Sequence, residues 1–151
     1  MRIIEYFHCD QQEHWLNQIK KSDWIAGQYL YQLLNENKLQ DVVGENAKLL
    51  MLTEGEDLIS FCTYTKKDDI QPTELTPWIG FVYTFPEYRG HRYAGKLFLE
   101  IEKIARLEKV QNIYISTDHT GLYEKYGFAF YQTMNDRRGT FSRVYRKHLS
   151  A

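Results

Sequence analysis

The sequence has few of the residues that mark metal-binding, secreted or membrane proteins. It contains two cysteines and three prolines among 151 residues. Cys9 and Cys62 stand alone, and this spacing excludes a cysteine-based metal site. No apolar run reaches the roughly 18 residues of a membrane span, and the N-terminal segment lacks an apolar signal core. We therefore expect a protein of the reducing cytoplasm, with no bound metal and no membrane contact.

Strong charge of one sign is also absent. The chain has 19 Lys and Arg against 20 Asp and Glu, which gives a formal net charge of −1. This balance provides no overall field to attract nucleic acid, so a nucleic-acid-binding domain is disfavoured and any anion site is expected to be local. The length fits a single domain over residues 1–151, with one hydrophobic core.

Apolar periodicity predicts an alternation of strands and helices. Asp10, with Glu13 three residues later, resembles a capping box, and Ser22 or Asp23 is expected to cap the next helix. Gly127 is expected to end a short helix. In chain order the pattern predicts a strand (1–6), two helices (11–21 and 24–37), a hairpin (47–65) and a strand (78–85). A helix (94–109), a strand (112–116), a short helix (119–127) and a hairpin (128–149) follow.

The middle of this order predicts a parallel crossover unit. Residues 78–85 are almost all apolar, which is typical of a central strand covered on both faces. Residues 94–109 carry an apolar stripe at helical spacing, and residues 112–116 read as the next strand. Strand, helix and strand in this order predict two parallel strands joined by a right-handed connection.

A basic turn, YRGHRYAG, joins the central strand to this helix. Successive backbone N–H groups, the positive end of a helix dipole and the guanidinium groups of Arg89 and Arg92 fall at one point. Such a turn favours a clustered anion such as a diphosphate. We therefore expect an anion-binding loop over Arg89–Gly95.

Two motifs resemble those of the GNAT family of N-acetyltransferases. RGHRYA over Arg89–Ala94 is similar to the family's phosphate-binding motif, and YEKYGF over Tyr123–Phe128 is similar to the motif that follows its fifth strand. Two departures accompany them. Arg92 stands where the family usually has glycine, and residues 116–122 lack the asparagine and alanine often found before the second motif.

The resemblance implies an α/β fold of the GNAT type. Its sheet would be mixed but mostly antiparallel, splayed between strands 4 and 5 and flanked by helices. The activity implied is transfer of an acetyl group from acetyl-CoA to a primary amine by direct attack. Homodimers are common in the family, so a homodimer is a further possibility. An alternative from another class is a non-catalytic acyl-CoA-binding sensor or partner-binding module of the same fold.

The resemblance also implies roles for individual residues. Tyr123 would act as the general acid toward the departing sulfur, and Lys96 or Arg92 would lie near the third phosphate of CoA. The backbone N–H of Val82 or its neighbour would polarise the thioester carbonyl. The residues expected to bind the cofactor are Val82, Tyr83, Thr84, Arg89, Gly90, His91, Arg92, Tyr93, Ala94 and Gly95.

The acceptor and the base remain open at the level of sequence. An ammonium group has no lone pair, so a base is useful, and the candidates are Glu54, Asp68, Asp69, Asp118 and His119. The resemblance places the acceptor near residues 20–29 and 66–76. There, Asp68 and Asp69 are candidates to attract a cationic amine, and Trp24 or Trp78 to stack on it. A small amine, an amino sugar, a peptide N-terminus and a lysine side chain all fit.

Overall fold

The structure is a computed structural model that describes residues 1–150. Seven strands form one sheet in the order β1-β2-β3-β4-β5-β7-β6. The strands are β1 (Arg2–Glu5), β2 (Lys48–Glu54), β3 (Asp57–Thr65), β4 (Trp78–Thr84), β5 (Asn112–Thr117), β6 (Ala129–Asn135) and β7 (Phe141–His148). Only β4 and β5 run parallel, whereas the other neighbouring pairs are antiparallel. The predicted mixed sheet and its parallel crossover are confirmed.

Helices cover both faces of this sheet. They are α1 (Gln12–Lys20), α2 (Ile25–Asn35), α3 (Leu39–Val43) and α4 (Ala94–Leu107). The side chains of α1 and α2 pack with Phe61 and Tyr83 on one face. Those of α4 pack with Ile79 and Ile115 on the other. Within residues 1–150, no helix combines the length and apolar character that crossing a bilayer requires.

Helix α4 buries the apolar stripe that its sequence predicts. Leu97, Phe98, Ile101 and Ala105 are each at most 2 % exposed. Burial of a Leu, Ile or Phe side chain contributes roughly 1.5–3 kcal/mol. This packing holds the start of α4 at a fixed position beside β4, which matters because the basic turn lies there.

The predicted helix caps at the N-terminal end are wrong. Neither α1 nor α2 has a side-chain cap, and the residues before them are Gln11 and Trp24. Asp23 instead accepts a hydrogen bond from the Tyr83 hydroxyl. The Asp23 carboxylate therefore bonds to a residue 60 positions away in the sequence and does not form the cap of α2 that its local sequence predicts.

Strand β4 is irregular where it faces the site. Its ladder with β3 shifts register between the pairs Phe61–Tyr83 and Thr63–Gly80. Phe81 lies in this shift with φ at +49°, in the left-handed region that few side chains adopt. Such bulges redirect a strand and often lie next to functional sites. This irregularity lies in the part of β4 that does not pair with β5.

Candidate functional site

Strands β4 and β5 pair over a short stretch, which joins the start of β4 to the middle of β5. Their ladder joins Trp78 to Tyr114 and Ile79 to Ile115, and among the described residues it goes no further. On the other side of β4, the pairing with β3 continues to Thr84. The sheet is thus splayed between strands 4 and 5, as predicted. Within residues 1–150, this opening leaves the β5-facing edge of β4 unpaired beyond Ile79.

The basic turn offers a row of free N–H groups at the end of this opening. Helix α4 begins at Ala94, and its N-terminus has no side-chain cap. Within residues 1–150, the backbone N–H groups from Gly90 to Ala94 have no hydrogen-bond acceptor. Gly90 has φ at +89°, which folds the loop back toward the helix. Five consecutive free donors therefore lie at the positive end of a 14-residue helix, an arrangement that favours an anion.

Arg89 links this loop to the end of β4. Its Nε donates a hydrogen bond of 2.9 Å to the carbonyl of Thr84. Its guanidinium group lies 5.5 Å from the centre of the Tyr83 ring. The first residue of the motif therefore holds the turn against the end of the strand.

Arg92 occupies a position that suits glycine. Its φ is +55°, so the backbone is in the left-handed region. A side chain there costs roughly 1–2 kcal/mol because Cβ crowds the following carbonyl oxygen. This strain explains why glycine is the usual residue at this position. In this chain the loop has the same kind of backbone conformation with a less suitable residue.

We expect Arg92→Gly to raise the free energy of unfolding by about 0.5–1 kcal/mol. Relief of the left-handed strain outweighs the roughly 0.5–1 kcal/mol entropic cost of glycine. Urea denaturation measures the change. Arg92→Ala is the matched control, because it removes the same side chain but keeps the strain. Equal stability of the two variants would contradict a strained Arg92.

Tyr123 lies beside the opening on the α4 face. It begins a 3₁₀ turn, Tyr123–Tyr126, which Gly127 ends with φ at +90°. The residue is 7 % exposed, and its ring packs near Phe98 and Phe128. Burial, with Cys62 and Tyr126 nearby, raises the pKa of its phenol above the ordinary value. No residue among 1–150 hydrogen-bonds to the hydroxyl, and the raised pKa keeps it protonated, so it can donate to another molecule.

The two motifs touch each other at Gly95. A methyl group placed on Gly95 would lie 2.8 Å from the ring of Tyr126, so this contact requires glycine. The Tyr126 ring packs edge-on against Phe98 at 5.0 Å. Lys147 then fixes the turn, since its Nζ donates to the Tyr126 carbonyl at 2.8 Å and to buried Glu102 at 3.0 Å. The basic turn and the turn that carries Tyr123 therefore pack against each other.

The opposite face of β4 carries a second group of polar and aromatic side chains. The rings of Trp24 and Tyr83 are stacked, with 5.6 Å between their centres and an interplanar angle of 10°. Burial and the Asp23 hydrogen bond raise the pKa of the Tyr83 phenol. Tyr29 of α2 lies 6.3 Å from Phe81. No pattern in the sequence predicts the pairing of Tyr83 with Asp23, although the adjacent Trp24 was a candidate for this region.

The candidate bases are dispersed. Glu54 pairs with the N-terminal ammonium at 2.8 Å, and Asp69 pairs with Arg137 at 2.9 Å. Asp118 and His119 are exposed just after β5. Asp68 differs from these four: its Oδ1 lies 2.7 Å from where a Cβ on Gly80 of β4 would stand.

One aromatic candidate for the acceptor site is excluded. Trp78 is fully buried at 0 % exposure, packed with Ile70, Tyr114 and Val144. It cannot stack on an incoming molecule, and that prediction is wrong. Among residues 1–150, no group of three His, Cys, Asp or Glu side chains is placed to hold a metal ion.

The comparisons with known proteins agree with this architecture. The model of the acetyltransferase (GNAT) family matches residues 9–128, so the chain belongs to that family. The comparison with curated protein sequences gives no match.

Similar folds occur among solved structures. An aminoglycoside 6′-N-acetyltransferase from Enterococcus faecium is 14 % identical with a TM-score of 0.69, over 100 % of this chain and 98 % of that one. A GNAT-family protein from Desulfovibrio desulfuricans, described as a putative acetyltransferase, is 15 % identical with a TM-score of 0.69, over 99 % of both. The PaiA N-acetyltransferase from Thermoplasma acidophilum, solved with coenzyme A, is 16 % identical with a TM-score of 0.63, over 98 % and 99 %. At these identities the likeness shows the shared fold.

Proposed function

We propose that this protein transfers an acetyl group from acetyl-CoA to a primary amine, by direct attack of the amine on the thioester. One observation carries the proposal. The opening between β4 and β5 has five free N–H groups at one end and the unpaired phenol of Tyr123 at its side. A diphosphate fits the N–H groups, an extended chain fits the opening, and a reacting thioester fits beside the phenol.

In this proposal the cofactor pairs with the protein mainly through backbone groups. The pantetheine arm adds to β4 as an extra strand along Val82, Tyr83 and Thr84. The diphosphate lies on the loop at the start of α4, and Lys96 or Arg92 reaches the third phosphate. The loop residues assigned to the cofactor are Arg89, Gly90, His91, Arg92, Tyr93, Ala94 and Gly95.

The reaction needs charge to be stabilised at two atoms. As the amine attacks, negative charge develops on the thioester oxygen, where the N–H of Val82 is the proposed donor. When the tetrahedral intermediate collapses, charge moves to the sulfur, and Tyr123 donates a hydrogen bond to it. Because burial raises the pKa of this phenol, it stays protonated at neutral pH and acts chiefly by hydrogen bonding.

A small cationic amine is the proposed acceptor. The face of β4 opposite Tyr123 carries Asp23 at Tyr83 and Asp68 at Gly80, with Asp69 next in the chain. The rings of Trp24 and Tyr29 lie beside Tyr83 and Phe81 on the same strand. Carboxylates and aromatic faces both attract ammonium groups. Two similar folds belong to an enzyme acting on aminoglycosides and to one solved with coenzyme A, which supports this class of reactants.

A CoA-release assay tests the proposal. Acetyl-CoA is incubated with the protein and with polyamines, aminoglycosides, amino acids or peptides, and free thiol is measured. Amine-dependent release supports the enzyme and identifies its acceptor class. In parallel, acetyl-CoA is expected to raise the melting temperature by mass action. Binding without release for every amine would favour the acyl-CoA sensor instead.

Four further expectations stay predictions. One domain over residues 1–151, a cytoplasmic location and no affinity for nucleic acid are the first three. The fourth is a homodimer, for which the candidate interface is the edge strand β6, where Phe130 is 54 % exposed, with Phe141 of β7 at 72 %. Sedimentation velocity of the wild type and of Phe130→Lys tests it, since a charge at such an interface would shift a dimer to monomer.

A further inference from the structure

We propose that Asp68 is the general base that takes a proton from the attacking ammonium group. This inference rests on the proposed acetyl transfer and assigns the base, which the sequence left open along with the acceptor. Asp68 lies in the connection between β3 and β4, on the acceptor face of the sheet. It is the candidate carboxylate that contacts β4 next to the bulge at Phe81.

The position of Asp68 follows from a gap left by glycine. A Cβ on Gly80 would lie 2.7 Å from Asp68 Oδ1 and 3.1 Å from Thr63 Oγ1. The carboxylate therefore occupies the space above the strand that another side chain would fill. Thr63 is 1 % exposed, and its hydroxyl has no hydrogen-bond partner within residues 1–150. The Asp68 carboxylate and the Thr63 hydroxyl thus lie close together at Gly80, one residue before Phe81, and the Thr63 hydroxyl remains without a hydrogen bond among the described residues.

The connection is anchored, so the carboxylate is held in place. Gln71 Nε2 donates to the Asp68 carbonyl at 2.9 Å. The backbone N–H of Arg137 donates to the Asp69 carbonyl at 2.9 Å, and its side chain pairs with the Asp69 carboxylate. Arg137 belongs to the turn between β6 and β7, so a second element of the sheet fixes the loop that carries Asp68.

The surroundings make Asp68 a stronger base than an ordinary aspartate. Burial raises the pKa of its carboxyl to about 6, with the charge of Asp69 adding to the rise. The backbone N–H of Asp69 and the charge of Arg137 act in the opposite direction. At pH 7 to 8 the group is still ionised, yet it holds a proton better than a solvated carboxylate does. The Asp69 carboxylate, by contrast, is held in an ion pair with Arg137 at 2.9 Å.

The proposed step balances as follows. Asp68 takes one proton from R–NH₃⁺, and the freed lone pair attacks the thioester carbon to form the C–N bond. The C–S bond breaks with its electron pair going to sulfur. A second proton leaves the nitrogen and reaches the sulfur, where Tyr123 has stabilised the charge. Asp68 then releases its proton to water, so the products are the amide, CoA–SH and one proton.

The test compares Asp68→Asn with Asp10→Asn, a matched change at an exposed carboxylate outside the site. We expect kcat/KM for the best amine of the panel to fall about 100-fold in Asp68→Asn, the lower end of what a positioned base contributes. We expect the wild type to lose activity below an apparent pKa of about 6, and the remaining activity of Asp68→Asn to lack that limb. Acetyl-CoA binding is expected to be unchanged in both.

Stability provides an independent readout. The folded pKa of Asp68 is raised, so the folded state binds more protons between the ordinary pKa and about 6, and stability falls as pH rises through that window. Above pH 6, Asp68→Asn is therefore expected to melt higher than the wild type, by roughly 2–4 °C. Lower activity combined with higher stability would not arise from a merely structural aspartate.

A second variant moves the carboxylate without removing it. The methyl group of Gly80→Ala would displace Asp68 Oδ1, so we expect lower activity with acetyl-CoA binding retained. Full activity of Asp68→Asn, with the acidic limb unchanged, would overturn the role of Asp68 and leave the proposed function intact. A wild type that acetylates no amine would overturn both.

Discussion

Tyr123→Phe is expected to slow acetyl transfer about 100-fold, because a hydrogen bond that forms to the departing sulfur is lost from the transition state. The dissociation constant of acetyl-CoA should not change, since the buried ring that packs near Phe98 and Phe128 remains. Steady-state kinetics with saturating amine measure kcat, and calorimetry measures binding. The loss should be constant from pH 6 to 9, because the raised pKa keeps the phenol protonated throughout.

Tyr126→Phe is the matched control for this change. Tyr126 lies three residues later on the same turn, and its ring packs on Gly95 and Phe98. Removal of its hydroxyl should leave the rate of transfer near that of the wild type. Equal rates for Tyr123→Phe and Tyr126→Phe would contradict a role for the Tyr123 phenol at the sulfur.

Arg89→Glu is expected to weaken acetyl-CoA binding roughly 30- to 150-fold. This range corresponds to about 2–3 kcal/mol, the size of a charge-assisted hydrogen bond lost to a phosphate. The substitution also places a negative charge beside the five free N–H groups and removes the 2.9 Å bond to Thr84. The shift in melting temperature that acetyl-CoA produces should shrink accordingly.

Lys103→Glu makes the same charge change on the exposed side of the same helix. Lys103 lies nine residues after Ala94, more than two turns from the loop. Its variant should bind acetyl-CoA within about twofold of the wild type, because solvent screens a charge at that distance. If a folded Arg89→Glu protein kept the full shift in melting temperature, the anion site would have to lie elsewhere.

The elements that form the cofactor side could be predicted because their signals are local. An apolar run predicts β4, a stripe at helical spacing predicts α4, and both motifs are contiguous in sequence. Gly127 ends the short turn as predicted, since a left-handed residue is required there. Helix α3 was not predicted because five residues carry too little periodicity to show a helical pattern.

The acceptor side depends on pairings that no local pattern reveals. Asp23 meets Tyr83 across 60 residues, and Arg137 meets Asp69 across 68. Asp68 stands out only once Gly80 is seen to leave room for its carboxylate. The prediction that Trp78 stacks on the acceptor was wrong, because this residue at the start of a central strand is buried by the sheet and the loop that cover it.

The most direct test of the account is the identity of the product. Acetyl-CoA labelled in its acetyl group is incubated with the protein and with the amine that releases most CoA, and the amine is analysed by mass spectrometry. The account predicts a labelled acetyl group on the amine nitrogen, formed about 100-fold more slowly by Tyr123→Phe. Unmodified amine, recovered beside acetyl-CoA that binds the protein tightly and stays intact, would contradict catalysis and identify the protein as an acyl-CoA-binding module.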